Sequence, residues 1–146
     1  MHSAVNLYFH RHHLDPRGTY DEYLETFPAL HASVMTLFDE IMYPGDIFDA
    51  HPGDDKFFDM FTLATHPDYR GKGIGRTLVN ESLKVGKEAN CSAAIVLATN
   101  DFSRKIFEKV GFEQVQSKNW EDCIYNGKPA FGKVPSKFAS AHYLKL

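Results

Sequence analysis

A short stretch rich in glycine and basic residues, PDYRGKGIG at positions 67–75, is the segment whose residue types most clearly suggest chemistry. It follows the apolar run FFDMFTLAT and precedes residues with helical apolar spacing. A strand that enters a glycine-rich turn and then a helix directs several backbone N–H groups at one point, where the helix dipole adds positive potential. The stretch predicts a phosphate or pyrophosphate site, against the alternative of a plain turn with solvated cations.

Two common nucleotide-binding patterns do not fit this stretch. A P-loop requires glycine, four residues and then Gly-Lys-Ser/Thr, and the sequence lacks that order. A dinucleotide loop reads G-x-G-x-x-G, but counting from Gly71 places Arg76 where the last glycine should stand. The pattern that does match is R-x-x-G-x-G, over Arg70, Gly73 and Gly75.

The overall composition narrows the classes of protein that this sequence can be. With 146 residues, the chain has the length of one domain that buries a single core. A net charge of -3 gives no general basic surface for nucleic acid, and no apolar stretch approaches the roughly 20 residues that cross a bilayer. Two cysteines and the absence of a signal-like N-terminus favour a reducing compartment. We therefore predict a soluble, cytoplasmic protein that binds neither nucleic acid nor membranes.

Strand and helix patterns alternate along most of the chain, which predicts an α/β or α+β fold with a mixed sheet. Strands are expected at Val5–Phe9, 57–65 and 92–98, and the unbroken apolar content of SAAIVLA predicts burial on both faces. Two helices should follow the second and third strands, with Asn100 capping the later one and Gly111 ending it. Their expected buried positions are Ile74, Leu78, Val79, Leu83 and Val85, and then Phe102, Ile106, Phe107 and Val110.

The two ends of the chain are read from weaker patterns. Near the N-terminus, a short helix is expected over Tyr20–Phe27 and a longer amphipathic helix over Pro28–Met42. Toward the C-terminus, FEQVQ, NWEDCIY and FASAHYLKL indicate antiparallel strands, with a turn at Asn126-Gly127 and a loop over 128–137. The histidines at 10, 12 and 13 are too few for a zinc site, so no metal is expected.

The motifs together resemble a known family. R-x-x-G-x-G within LATHPDYRGKGIGRTLV, followed by LATNDFSRKIFEKVGF, resembles the acyl-coenzyme A loop and cofactor-side helix of the GNAT acetyltransferase superfamily. With WEDCIYNGKPAF, the match is most similar to invertebrate arylalkylamine N-acetyltransferases. The resemblance is good over 57–146 and weak over 1–56. It implies one GNAT-like domain over 1–146, a mixed central sheet with flanking helices, and an N-terminally incomplete version of that fold.

The resemblance implies that the ligand of the glycine-rich loop is acetyl-CoA, as co-substrate. Backbone groups of Leu63, Ala64 and Thr65 would line the arm of the cofactor. The pyrophosphate would be held by the loop that comprises Arg70, Gly71, Lys72, Gly73, Ile74, Gly75 and Arg76. Farther along, Asn100, Ser103 and Lys105 would contact the cofactor, with Arg104 as an alternative to Lys105 and solvated helix charges as the alternative for both.

Catalytic roles are also implied by the resemblance. Many family members carry a tyrosine that protonates the departing thiolate, whereas this chain has Phe107 at that position. The insect-type enzymes instead suggest Thr99 and Ser103 near the sulfur, and burial of Asp59 would let it serve as the base for the amine. The alternative for Asp59 is an ion pair with a lysine. A strand period of two would place Asp59 on the same face as Phe61 and Leu63.

These expectations define three possible functions. The first is acetyl transfer from acetyl-CoA to a primary amine. The expected acceptors are arylalkylamines such as dopamine or serotonin, since Trp120, Tyr125 and Phe131 fall in the acceptor segment. The second is an inactive acyl-CoA-binding fragment or regulatory subunit, and the third is a polyamine or protein-lysine acetyltransferase. Direct transfer leaves Cys91 and Cys123 as ordinary thiols. An uncovered sheet edge near Val5–Phe9 would favour self-association.

Overall fold

The computed structural model describes residues 2–10, 41, 50–125, 127–129, 131, 133, 134 and 136–146, with only the backbone for 2–10 and 125. The helices expected over Tyr20–Phe27 and Pro28–Met42 therefore lie outside the described residues, except for helical Ile41. The histidines at 12 and 13 and the turn residue Asn126 also lie outside them.

A mixed sheet of five strands forms the centre of the described structure. The strands lie in the order β1-β2-β3-β7-β4, and neighbours are antiparallel except for the parallel pair β2 and β3. A separate hairpin consists of β5 and β6. The strands are β1 (His2–His10), β2 (Lys56–Thr65), β3 (Ala93–Ala98), β4 (Glu113–Asn119), β5 (Ile124–Tyr125), β6 (Lys128–Pro129) and β7 (Phe138–Lys145). The expected mixed sheet is confirmed, with β1 at one edge of the described strands.

Two described helices follow the parallel strands, and we number them in order. Helix α1 (Ile74–Glu88) connects β2 to β3, and α2 (Asp101–Val110) follows β3. The side chain of Asn100 caps α2, and Gly111 ends it with a φ of 109°. Since a left-handed φ is costly for residues with a Cβ, glycine suits this end. The predicted cap at Asn100 and the predicted end at Gly111 are both confirmed.

Strand β2 contains a bulge and then separates from β3. Leu7 pairs with Asp59 and Val5 with Thr62, so one residue on β1, Asn6, lies opposite two on β2, Met60 and Phe61. Pairing between β2 and β3 covers only Phe57–Asp59 opposite Ala93–Ile95, although both strands are fully described. The second half of β2 therefore diverges from β3 and leaves a cleft between parallel strands.

The sheet buries apolar side chains on both faces. The helix-side core lies under α1 and α2 and includes Phe58, Met60, Val79, Leu83, Ala94, Val96, Phe107 and Phe112. The opposite core includes Ile41, Phe57, Ala93, Ile95, Trp120, Cys123, Ala139 and Ala141. Central strand β3 contributes to both cores, which confirms its predicted burial on two faces.

Three local expectations are wrong. Phe102 is 80% exposed and Val85 is 42% exposed, although helical spacing placed both on buried faces. Phe102 belongs to the first turn of α2, directly after the N-cap and the first helical residue, whereas the buried residue of this helix is Phe107. NWEDCIY is not one strand, because Trp120–Asp122 forms a 3-10 turn and only Ile124–Tyr125 is extended. Strand β6 also occupies the start of the expected loop over 128–137.

Candidate functional site

The glycine-rich loop connects the divergent end of β2 to the N-terminus of α1. Gly71 and Gly73 have φ values of 75° and 78°, in the left-handed region that residues with a Cβ rarely occupy. A Cβ built at either position meets no atom within 4 Å. These two glycines are therefore required by backbone conformation rather than by lack of space.

Gly75 has a different role from the other loop glycines. It lies in the first turn of α1, and a Cβ there would stand 2.9 Å from Cδ1 of Ile106 on α2. The same added atom would lie 4.0 Å from the Thr65 hydroxyl at the end of β2. Gly75 thus allows the end of β2, the start of α1 and one face of α2 to meet closely.

The start of α1 presents backbone donors at this junction. The N–H of Thr77 donates to the carbonyl of Gly73 at 3.1 Å, which closes the first helical turn. The N–H groups of Ile74, Gly75 and Arg76 precede that bond and have no acceptor within the helix. Together with the helix dipole, these donors create positive potential suited to a phosphate.

The cations of the loop are oriented by neighbouring groups. Arg70 Nε donates to the carbonyl of Thr65 at 3.5 Å, which links the loop to the last residue of β2. Lys72 Nζ lies 5.0 Å from the centre of the Tyr69 ring, within cation–π range. Lys72 and Arg76 are exposed. An anion at the start of α1 would therefore meet cationic side chains as well as backbone donors.

The β2 bulge changes the faces on which the predicted strand residues lie. Leu63 packs against the helix-side core, whereas Phe57 belongs to the opposite core. Asp59 is two residues from Phe57 and shares its face, so the predicted common face of Asp59 and Leu63 is wrong. The extra residue reverses the alternation between them. Asp59 is only 6% exposed, on the sheet side away from the helices.

The start of α2 gathers the other predicted residues. Asn100 Oδ1 accepts hydrogen bonds from the N–H groups of Phe102 and Ser103, each at 3.0 Å. The Ser103 hydroxyl donates to the Asn100 carbonyl at 3.0 Å, and Thr99 is exposed at the end of β3. Ser103 therefore has to rotate its hydroxyl before it can donate to another group, while its oxygen remains able to accept.

Arg104 and Lys105 have different surroundings on α2. Arg104 Nη2 donates to Asp101 Oδ1 at 3.0 Å, and Nη1 donates to Glu108 Oε1 at 2.9 Å. The hydrogen bond that Arg104 donates to Asp101 is the main cause of the raised pKa of Arg104. Lys105 is exposed. Arg104 thus acts as a helix ion-pair residue, and Lys105 is the better placed of the two to meet a phosphate.

A buried polar pair near α2 was missed by the sequence analysis. His142 is 1% exposed, and its Nε2 lies 2.9 Å from the Ser140 hydroxyl. Its ring centre lies 6.3 Å from that of Phe107, and within the described part of the chain its Nδ1 has no hydrogen-bond partner. The period-two spacing of Ser140 and His142 in FASAHYLKL was the available signal, because it places both on one strand face.

Burial lowers the pKa of His142 below its ordinary value of 6.5, so the imidazole is neutral in the folded protein near neutral pH. Below pH 6.5 the unfolded chain takes up a proton that the folded chain resists, so stability should fall as the pH drops toward the folded-state pKa. We expect His142→Gln to flatten this pH dependence. Urea unfolding between pH 6.5 and about 5 measures it.

Parallel measurement of the wild type gives the reference slope of unfolding free energy against pH. An identical slope for His142→Gln and the wild type would show that His142 does not resist protonation.

Other chemistry-bearing groups give no additional site. Across the residues whose structure is described, no three or more histidine, cysteine, aspartate or glutamate side chains are grouped as metal ligands. None of the described helices has the length and apolar content to cross a membrane. The thiols of Cys91 and Cys123 are buried, and burial is the main cause of the raised pKa of Cys91.

Sequence comparison matches part of the chain to a family of enzymes. Residues 44–112 match the profile of the acetyltransferase (GNAT) family. An uncharacterized N-acetyltransferase from Chlorobaculum tepidum is 33% identical over 70 residues, which are 47% of this chain and 45% of that protein. The match thus spans less than half the length of that curated relative.

Structural comparison finds the same architecture in insect proteins. Arylalkylamine N-acetyltransferase 2 from Aedes aegypti superposes with a TM-score of 0.86 at 20% identity, over 99% of this chain and 67% of that chain. Mosquito arylalkylamine N-acetyltransferase like 5b gives 0.86 at 20% identity, over 100% and 68%. The Drosophila melanogaster polyamine N-acetyltransferase, which forms N-acetylagmatine, gives 0.84 at 16% identity, over 99% and 69%. At these identities the likeness establishes the fold.

Proposed function

Because residues 44–112 match the acetyltransferase (GNAT) family and the fold is that of insect N-acetyltransferases, we propose that this chain transfers an acetyl group from acetyl-CoA to a primary amine. The observation that carries the proposal is the junction of a β2–β3 cleft with a glycine-rich helix N-terminus. The cleft accommodates an extended chain such as pantetheine, and the helix start accommodates its pyrophosphate. Both features lie at the carboxyl ends of parallel strands.

The proposed cofactor contacts follow that junction. Backbone groups of Leu63, Ala64 and Thr65 line the cleft beside the acyl-pantetheine arm. The pyrophosphate lies at the first turn of α1, with charge supplied by side chains around it. Its proposed contacts are Arg70, Gly71, Lys72, Gly73, Ile74, Gly75 and Arg76. On α2, Asn100 and Ser103 face the cofactor and Lys105 meets its remaining phosphate.

The proposed reaction is a direct transfer between the two substrates. A proton must leave the ammonium group, since an aliphatic amine has a pKa of about 10. The amine nitrogen then bonds to the thioester carbon, the carbon–sulfur bond breaks, and the thiolate receives a proton. Asp59 accepts the amine proton through water, and Thr99 and Ser103 hydrogen-bond to the departing sulfur. Ser103 exchanges its bond to Asn100 for that contact.

An aromatic amine is the proposed acceptor. Trp120 and Phe131 form an edge-to-face pair with ring centres 4.6 Å apart, on the sheet face that also carries Asp59. Trp120 is buried and Phe131 is half-buried, so the aromatic ring of an acceptor would pack against the accessible part of Phe131. Polyamine acetylation is the second candidate, because the polyamine enzyme of Drosophila shares the fold to a similar degree.

Calorimetry and a thiol-release assay together test the proposed function. We expect titration with acetyl-CoA to show saturable binding, and thiol release to be faster with dopamine or serotonin than with spermine or agmatine. Faster release with spermine or agmatine would favour the second candidate. Binding without release for any amine would identify an acyl-CoA-binding domain without turnover, and no binding by the folded protein would refute the proposal.

A further inference from the structure

Of the segment 131–137, the structure describes Phe131, Lys133, Val134, Ser136 and Lys137, and the C-terminal end of the segment leads into β7 beside the proposed cofactor site. Ser140 on β7 pairs with Ala98, the last residue of β3, so the chain just before β7 lies at the edge where β3 ends. The N–H of Trp120 donates to the carbonyl of Lys137 at 3.0 Å, which fixes this segment to the end of β4. The segment and the start of α2 therefore occupy one edge of the sheet.

Ser136 joins this segment to α2. It is 5% exposed, and its hydroxyl lies 3.3 Å from Asp101 Oδ1 and 3.0 Å from the carbonyl of Phe138. The single hydroxyl proton is donated to one of these acceptors at a time. Asp101 is the first residue of α2, so the contact connects elements that are 35 positions apart in sequence.

Arg104 completes this contact from the helix. Its guanidinium donates to Asp101, and its central carbon lies 5.4 Å from the centre of the Phe138 ring. The hydrogen bond from Arg104 is the main cause of the lowered pKa of Asp101, so the carboxylate that faces Ser136 stays ionised. We call Asp101, Arg104, Ser136 and Phe138 the α2 clasp.

The two sides of the clasp carry different parts of the proposed site. On the helix side, Ser103 lies between Asp101 and Arg104 in the same turn of α2. On the segment side, Phe131 packs against Trp120 on the opposite face of the sheet. A shift of the segment relative to α2 would therefore change the distance between the aromatic pair and the start of α2.

We propose that the α2 clasp positions the acceptor amine, by holding Ser136 and Lys137, and through Trp120 also Phe131, in fixed relation to the helix that carries Ser103. This inference rests on the proposed function. Asp101, Arg104 and Ser136 are positioning residues that act through Phe131 and Trp120. Loosening the clasp weakens the amine's productive binding and leaves the glycine-rich loop, and with it acetyl-CoA binding, unchanged.

An ordinary helix ion pair provides the comparison for this role. Lys84 and Glu81 on α1 form the same kind of pair, with nitrogen and oxygen 2.7 Å apart and side chains 65% and 59% exposed. Such exposed ion pairs contribute little to the stability of a protein. The clasp differs because its carboxylate also meets a buried hydroxyl from a distant segment.

Steady-state kinetics of Ser136→Ala test the positioning role. We expect the KM for the amine to rise about five- to tenfold, the effect of losing one ordinary hydrogen bond, while the KM for acetyl-CoA is unchanged. Ser136→Thr keeps the hydroxyl and should restore most of the loss. Glu81→Gln, which breaks the exposed pair on α1, should change neither KM. Equal rises in both KM values for Ser136→Ala would overturn the proposal.

Amide hydrogen exchange tests the clasp without turnover. Peptides covering 127–137 should exchange faster in Ser136→Ala and Asp101→Asn than in the wild type, with peptides of α1 unchanged. This difference between the wild type and the variants should persist at saturating acetyl-CoA. Failure of acetyl-CoA to bind would count against the proposed function alone. Equal exchange of 127–137 in the wild type and both variants, with or without acetyl-CoA, would refute the clasp.

Discussion

A Gly73→Pro variant is expected to bind acetyl-CoA about 100-fold more weakly than the wild type, because proline costs about 3 kcal/mol or more where the backbone cannot accommodate it. Gly73 has a φ of 78°, whereas proline fixes φ near −65°. Proline also removes the N–H at the N-cap of α1, beside the donors proposed to hold the pyrophosphate. Isothermal calorimetry with acetyl-CoA measures the loss.

Two matched variants separate this effect from general damage. Gly73→Asn introduces a residue that tolerates left-handed backbone, and it should retain binding within a few-fold. Gly53→Ala changes a glycine with open space around it in the turn before β2, and its binding should match the wild type. Undiminished binding by folded Gly73→Pro would show that the pyrophosphate does not use this loop.

The loop could be predicted from sequence because its determinants are local. Left-handed backbone at Gly71 and Gly73 requires glycine, and the flanking strand and helix have clear apolar periods. The cap at Asn100 and the stop at Gly111 are local in the same sense, since each depends on hydrogen bonds within a few positions. Because these determinants lie close together along the chain, the cofactor half of the proposed site could be predicted from the sequence.

The bulge in β2 could not be predicted, because it depends on pairing with β1. A period of two assumes unbroken alternation, and one additional residue between Asp59 and Thr62 reverses it. The sequence analysis therefore placed Asp59 on the same strand face as Leu63, and that placement is wrong. Only the register with Val5 and Leu7 reveals the change.

Contacts between distant segments explain the other omissions. His142 meets Phe107 across the helix-side core, and Ser136 meets Asp101 between a loop and a helix. The sequence gives each residue type, but not which residues come together when β7 pairs with β3 and β4. The acceptor half of the proposed site depends on such contacts, so less of it than of the loop could be predicted from the sequence.

The position of Asp59 is the reason why its substitution is expected to have a large effect on catalysis. Asp59 lies directly before the bulge, at the last residue pair that joins β2 to β3. The strands diverge from that point, so its carboxylate is close in sequence to the cleft proposed for the thioester. Asp59 is buried on the face that carries Trp120 and Phe131, which suits a group that takes a proton from an amine substrate bound on that face.

Asp59→Asn is expected to lower kcat about 100-fold for the amine and to leave acetyl-CoA binding unchanged, because general-base catalysis contributes about 10²- to 10⁴-fold. The limb of the kcat/KM profile that reports the essential base of the free enzyme should be lost in the variant, which leaves only the acidic limb set by the amine's own pKa of about 10. Stopped-flow and steady-state thiol release over a range of pH provide both measurements.

Asp54 supplies the matched control, because it is also buried, at 2% exposure, but lies at the other end of the sheet. Its carboxylate accepts a hydrogen bond from Tyr143 at 2.8 Å and pairs with Lys145, so Asp54→Asn should lower stability while kcat stays close to the wild-type value. If Asp59→Asn behaves in the same way, with lower stability and unchanged kcat, then Asp59 is a structural ion-pair residue. A lower kcat with the limb of the essential base intact would likewise contradict its role as the base, because the essential proton acceptor would still be present in the variant.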